Sequence, residues 1–168
     1  MPTRRRVLLG IGAFTLAGIA GCEQPESHHA SFKPVPIEDG EECAVCGMII
    51  KNFPGPKGEA YVRGAELPLK FCSTRDLFAY TTQPEAESVL EAVFVHDMAS
   101  TPWEDPTTDA FVNGHDAWYV ADQPLKGAMG PTLASFKERK DAIDFAERHG
   151  GRILTAADIT ASVISQLD

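Results

Sequence analysis

No Gly-rich phosphate loop and no Ser–His–Asp ordering can be placed in this 168-residue chain. The usual sequence grounds for nucleotide binding or serine hydrolysis are therefore missing. Positive charge is scarce: 15 Lys and Arg face 24 Asp and Glu, a net −9. Such a surface repels nucleic acid and gains nothing from anionic lipid. It suits a protein that collects cations or docks on a basic partner, and plain solubility explains it equally well. Beyond the N-terminus no stretch stays apolar for the ~18 residues that a membrane helix needs. Cysteine is sparse as well, with four in the chain.

The N-terminus, "MPTRRRVLLGIGAFTLAGIAGC", has the parts of an export signal. Three arginines, Arg4 to Arg6, precede a mostly apolar run from Val7 to Ala20, and small residues follow. "TRRRVLL" resembles a twin-arginine signal, and general secretion is the alternative. "IAGC" resembles a lipobox, in which Cys22 is lipidated and becomes the first residue. The expected organisation is a signal peptide over residues 1–21, a lipidated Cys22 with a flexible tether over 22–40, and one domain over 41–168. Loss of the signal leaves 12 basic against 24 acidic residues, a net −12. His28 and His29 lie in the Pro-, Ser- and acid-rich tether; they read as linker residues, with transient metal capture as the other possibility.

With Cys22 used as an anchor, Cys43, Cys46 and Cys72 remain, an odd number. At least one thiol is then free unless another chain pairs with it, and a free thiol in an oxidising compartment needs a reason. Metal ligation is one reason. "CAVCGM" places Cys43, Cys46 and Met48 in six positions, and "KGAMGPT" places Met129 in a connection bounded by Gly and Pro. Two such loops meeting on one ion would select Cu(I), which favours thiolate and thioether; zinc rarely takes thioether. Three alternatives stay open. Cys43 and Cys46 can form a disulfide or redox pair. Cys43, Cys46 and Cys72 with His96 or His115 can form a zinc site. Met48 and Met129 can be packing. Cys72, beside Phe71 at a strand end, reads as a buried core thiol rather than a ligand, and His149 as a residue meeting a helix dipole.

The element pattern predicts an α+β domain of two ββαβ units and a C-terminal helix. "EAYVRG", "LPLKF", "STRDLFAYTT" and "VLEAVFVHDM" read as strand, strand, helix, strand. "DAWYVAD", "PTLASF", "KERKDAIDFAERHGG" and "RIL" repeat the order. Phe71 followed by Asp76-Leu77-Phe78-Ala79-Tyr80 matches Phe136 followed by Asp141-Ala142-Ile143-Asp144-Phe145. Ser73 with Asp76 predicts a capping box, Gly150-Gly151 a helix end, and Thr155 the N-cap of the last helix, "TAADITASVISQL".

The chain resembles the NosL family of copper lipoproteins that accompany nitrous oxide reductase. The resemblance rests on the lipobox at Cys22, "CAVCGM", "PGPKGEA", "VFVHDM", "DAWYV", "GAMGPTLASF" and "HGGRIL". It implies a pair of ββαβ units that holds Cu(I) through thiolate and thioether. Carried onto this sequence, the ligands are Cys46, Met48 and Met129, with Cys43 as a further candidate, and neither His96 nor His115 matches a family histidine. It further implies a non-enzymatic, membrane-anchored carrier on the periplasmic side of the cell envelope. Its expected partners are nitrous oxide reductase and the reductase's maturation membrane complex (NosD/NosF/NosY type), and no nucleic acid. A lipoprotein thiol oxidoreductase, or a zinc or other metal-thiol protein, using Cys43 and Cys46 is the competing class.

Overall fold

The computed structural model describes residues 32–167. The signal segment, Cys22, His28 and His29 lie outside the described residues. The expected α+β class holds. The first half runs β1 (Gly58–Val62), β2 (Leu69–Phe71), α1 (Thr74–Thr81), α2 (Pro84–Glu87) and β3 (Leu90–His96). A further strand, β4 (Phe111–Asn113), extends its sheet, which has the antiparallel order β2-β1-β3-β4. The second half runs β5 (Trp118–Ala121), a small hairpin of β6 (Lys126–Gly127) and β7 (Gly130–Pro131), then β8 (Ala134–Phe136), α3 (Arg139–His149) and β9 (Arg152–Thr155). Its sheet has the order β8-β5-β9. Strand, strand, helix, strand is thus present in each half once α2, β4 and the hairpin, which the sequence pattern did not suggest, are set aside.

The pairing gives the two sheets a common frame. Phe71 lies opposite Gly58, and Phe136 lies opposite Trp118. One residue on, Glu59 faces Lys70 and Phe94, while Tyr119 faces Ser135 and Leu154. The sheets are fastened by polar groups as well as packing. Thr74 Oγ1 donates to the Leu133 carbonyl at 2.6 Å, and Ser135 Oγ donates to the His96 carbonyl at 2.6 Å. Phe71, Leu77, Val95, Tyr119 and Leu133 are fully buried in the core that results. Burying such side chains contributes on the order of 1.5–3 kcal/mol each.

Two expectations change. The predicted last helix divides. Ala156–Asp158 forms a 3-10 turn whose capping box joins Thr155 and Asp158. A new start follows at Thr160, whose hydroxyl accepts from Val163 N, and α4 is Ala161–Ser165. Ile159 is buried at the break, so its core contact interrupts the helix that local propensity favours. The end of the predicted tether is also docked. The Tyr61 hydroxyl donates to the Lys33 carbonyl, Val35 N donates to Glu59 Oε2, Lys70 Nζ donates to the Pro36 carbonyl, and Ile37 is buried.

Candidate metal centre

Residues 43–48 fold into a knuckle. Cys43 N donates to the Met48 carbonyl and Gly47 N donates to the Cys43 carbonyl, both at 2.9 Å. The chain turns back at Gly47, whose φ of +71° lies in the region that side chains avoid. Ala44 N donates to the Lys70 carbonyl at 2.9 Å, which lays the knuckle along the edge of β2. Cys72 directly follows β2, and Ser73 then caps α1 by accepting from Asp76 N at 3.1 Å. Strand edge, knuckle and helix start therefore meet at one place.

Four metal-ligating side chains converge there: Cys43, Cys46, Cys72 and Asp76, with ligand atoms all within 4.8 Å of one another. Cys46 Sγ lies 3.5 Å from Cys72 Sγ. The Cys43 and Cys72 thiols both donate to Asp76 Oδ2, at 3.4 and 3.3 Å. Cys72 and Cys43 are buried, and Cys46 is half-buried at the mouth. The three cysteines are free thiols. Within this group Cys43 ionises most readily: a hydrogen bond with Cys72 and several backbone amides hold its thiol low. That same contact with Cys43, then burial and the Asp76 charge, pushes Cys72 up. Burial raises Cys46.

Lys57 supplies the nearby positive charge. Its Nζ donates to the carbonyls of Phe53, Pro54 and Cys72 at 2.6, 3.0 and 3.2 Å. The side chain is buried, which pulls the ammonium down to about 8. Three carbonyl acceptors satisfy all of its donors, and the charge favours thiolate beside it.

The sequence-derived ligands distribute unevenly. Cys46 and Cys43 are in the cluster, while Met48 is half-buried two residues from Cys46. Met129 stands at the tip of the β6–β7 hairpin and is 48 % exposed, so packing does not account for it. Its loop reaches the same helix start: a Cβ on Gly127 would sit 3.5 Å from Ser73 Cβ, and Arg75 Nη1 lies 3.5 Å from the Met129 carbonyl. Cys72 is buried as expected, yet its sulfur belongs to the cluster rather than to an apolar wall. The sequence pattern makes Asp76 half of a capping box; its carboxylate turns instead to the thiols. The available signal was the spacing Cys72 to Asp76, one helical turn at a helix start.

The histidines lie elsewhere. His96 is fully buried, takes the Lys57 amide at Nδ1 over 3.3 Å, and leaves Nε2 without a hydrogen-bond partner. Burial, then the Lys57 charge, pushes its imidazole down to about 3. His115 is exposed, and neither histidine is part of the thiol group. His149, in the last turn of α3, packs its ring against Phe145 at 4.5 Å in a tilted arrangement. A groove of about 490 Å³, lined by Phe78, Thr81, His115 and Ile159 among others, includes none of the cysteines and takes no part in this chemistry. Among the described residues no helix is long and apolar enough to cross a membrane.

Three thiols and a carboxylate held between a knuckle and a helix start give an α+β domain a thiol-rich group that could hold a metal ion. The chain belongs to the NosL family, whose model matches residues 34–164. It is 42 % identical over 163 residues to the copper-binding lipoprotein NosL of Stutzerimonas stutzeri, covering 93 % of this chain and 84 % of that protein. It is 30 % identical over 167 residues to the protein of the same name from Achromobacter cycloclastes, covering 98 % and 84 %. The crystal structure of the copper chaperone NosL from Shewanella denitrificans superposes with a TM-score of 0.76 at 42 % identity, over 77 % of this chain and 97 % of that one.

Proposed function

We propose that this protein is a non-enzymatic Cu(I) carrier. It is anchored through a lipid on Cys22 at the periplasmic side of the cell envelope, and it delivers copper for the metal centres of nitrous oxide reductase. The observation that carries the reading is the convergence of Cys43, Cys46 and Cys72 within one ion's reach. Relatives at 42 % and 30 % identity that carry the names copper-binding lipoprotein and copper chaperone support copper as the ion. Thiolates are soft ligands that favour Cu(I). Cys46 is the ligand at the mouth, and Met48 and Met129 supply thioethers from the two loops beside it. The reductase and its membrane-bound maturation complex are the proposed partners, on the strength of the resemblance.

Carriage needs affinity together with an exit. A half-exposed thiolate that an incoming ligand can attack meets both needs, and a closed cage of four thiolates would not. The test is anaerobic Cu(I) titration against a chromophoric chelator, followed by transfer to the copper-free reductase. Cys46→Ser is expected to lower Cu(I) affinity about a hundredfold, at or above the upper end seen for disturbed metal sites. Unchanged affinity removes the site as drawn. Asp76 gives one reason for a second reading: three thiolates and a carboxylate also suit zinc. A preference for zinc over Cu(I) in direct competition favours that reading.

A further inference from the structure

The sulfur atoms of this protein are graded by depth. Cys72 is fully buried and Cys43 is 4 % exposed; Cys46 and Met48 are half-buried, and Met129 is 48 % exposed. Cys46 stands in the middle of the series. On its buried side lie Cys72, 3.5 Å away, and Cys43. Met48 follows two positions on in the same knuckle, and the hairpin of Met129 rests against the start of α1.

The inner set has a scaffold of protein groups. One carboxylate oxygen, Asp76 Oδ2, gathers both inner thiols. The backbone of Cys72 is pinned by Lys57 Nζ. Asp76 is itself fixed by the helix that Ser73 caps. The sulfurs are thus placed in advance, which lowers the ordering cost of binding. The outer set has no such scaffold, because Met129 occupies an exposed two-residue turn between Gly127 and Gly130.

We infer that the chain holds one soft cation at two stations that share Cys46: an inner one of the Cys43, Cys46 and Cys72 thiolates, and an outer one of Cys46 with the Met48 and Met129 thioethers. This rests on the copper-carrier reading and adds to it a resting place and an exit. Loading the inner station releases the thiol protons to solvent. In the passage outward the Met48 and Met129 thioethers each form a new bond to copper through a sulfur lone pair, and the bonds to Cys43 and Cys72 break. The two departing thiolates regain protons from solvent and donate again to Asp76 Oδ2. Copper stays Cu(I), and no electron moves. Thioethers carry no charge and bind more weakly than thiolates, so the outer station favours departure and the inner one retention.

The experiment uses the full chain in detergent micelles, loaded anaerobically with one equivalent of Cu(I). A chromophoric Cu(I) chelator reads equilibrium affinity by competition and the release rate by stopped flow. Cys72→Ser is expected to weaken affinity and speed release, each by about tenfold or more, as loss of a metal-site group does. The paired variant Met48→Leu with Met129→Leu is expected to keep affinity within about threefold and to slow release by about tenfold, well beyond what removal of one rim contact produces. Circular dichroism checks each fold; should Cys72→Ser fail it, Cys43→Ser carries the same expectation, since it removes a ligand of the same station. Parental affinity and release in both thiol variants overturns the inner station. Faster release from the methionine pair, with affinity lowered as far as in the thiol variants, overturns the division and leaves one mixed site. Failure of the parent chain to take up Cu(I) overturns the carrier reading itself and the two stations with it.

Discussion

The start of α1 and the start of α3 occupy the same place in the two halves, yet only one has chemistry. Each follows a strand that ends in phenylalanine, Phe71 or Phe136, and each has aspartate five residues later, Asp76 or Asp141. Asp76 is buried and accepts from two thiols. Asp141 is half-exposed, and its helix begins at Glu138, which makes no side-chain cap. The residues after the phenylalanines differ too: Cys72-Ser73 in one half and Lys137-Glu138 in the other. What converts the first helix start into a site is the knuckle laid over it, held by the Ala44–Lys70 bond. The repeat supplies a scaffold, and the segment in front of it supplies the chemistry.

The central strands show the same divergence one residue from the phenylalanine register. Glu59 and Tyr119 take equivalent positions, and both are fully buried. The Tyr119 hydroxyl donates to the Gly114 carbonyl at 2.6 Å. Glu59 Oε2 accepts from Val35 N, while Oε1 has no partner. The first half therefore carries a buried carboxyl with one oxygen unpartnered, and it lies under the strap that leads toward the predicted anchor.

These differences can be broken one at a time. The largest effect on stability is expected at the aspartates. Asp76→Ala strands two buried thiol donors and is expected to cost about 2–3 kcal/mol in urea unfolding. Asp141→Ala, at a solvated helix start, is expected to cost less than about 0.5 kcal/mol. Equal losses would mean that the two helix starts do the same job.

Glu59 gives the next effect, and it depends on pH. Burial is the main cause that raises its carboxyl from 4.5 to about 7; the Glu41 charge adds to the rise, while the Val35 amide and Lys70 oppose it. Between those values the folded chain keeps a proton that the unfolded chain has released, so this group makes stability fall as pH rises through the window. Glu59→Gln removes the ionisation. It is expected to flatten that fall and to leave the protein about 1–2 kcal/mol more stable than the parent at pH 8. Denaturant midpoints measured across pH 5–8 check this, and a slope that persists in the variant contradicts it.

The smallest expected effect is at the caps. Ser73→Ala loses the bond to Asp76 N and is expected to cost about 1 kcal/mol, whereas Glu138→Ala, with no bond to lose, is expected to be near neutral. Thermal unfolding of the two variants side by side makes the comparison.

Much of this molecule can be read from its residues. The two strand–helix patterns, the Ser73 cap and the Gly150 end all follow local rules, and the structure contains them. "CAVCGM" announced soft-metal chemistry because its residue types do so without reference to the fold. Cys72 and Asp76 were harder. Beside Phe71 at a strand end Cys72 has the look of core, and three residues after Ser73 Asp76 has the look of a cap partner. Only the pairing of Ala44 with Lys70, across 26 positions, brings the knuckle down on both of them. The split before α4 was hidden for a similar reason: burial of Ile159 overrides a helical pattern that nothing local interrupts.

The central claim is that the cluster of Cys43, Cys46 and Cys72 is where this protein holds copper. X-ray absorption at the copper edge, on the full chain loaded with one equivalent of Cu(I), measures that contact directly. A first shell made of sulfur alone, which becomes poorer in sulfur or is lost in Cys46→Ser, is the predicted result. A first shell dominated by nitrogen or oxygen, or a sulfur shell unchanged when Cys46 is replaced, would contradict it.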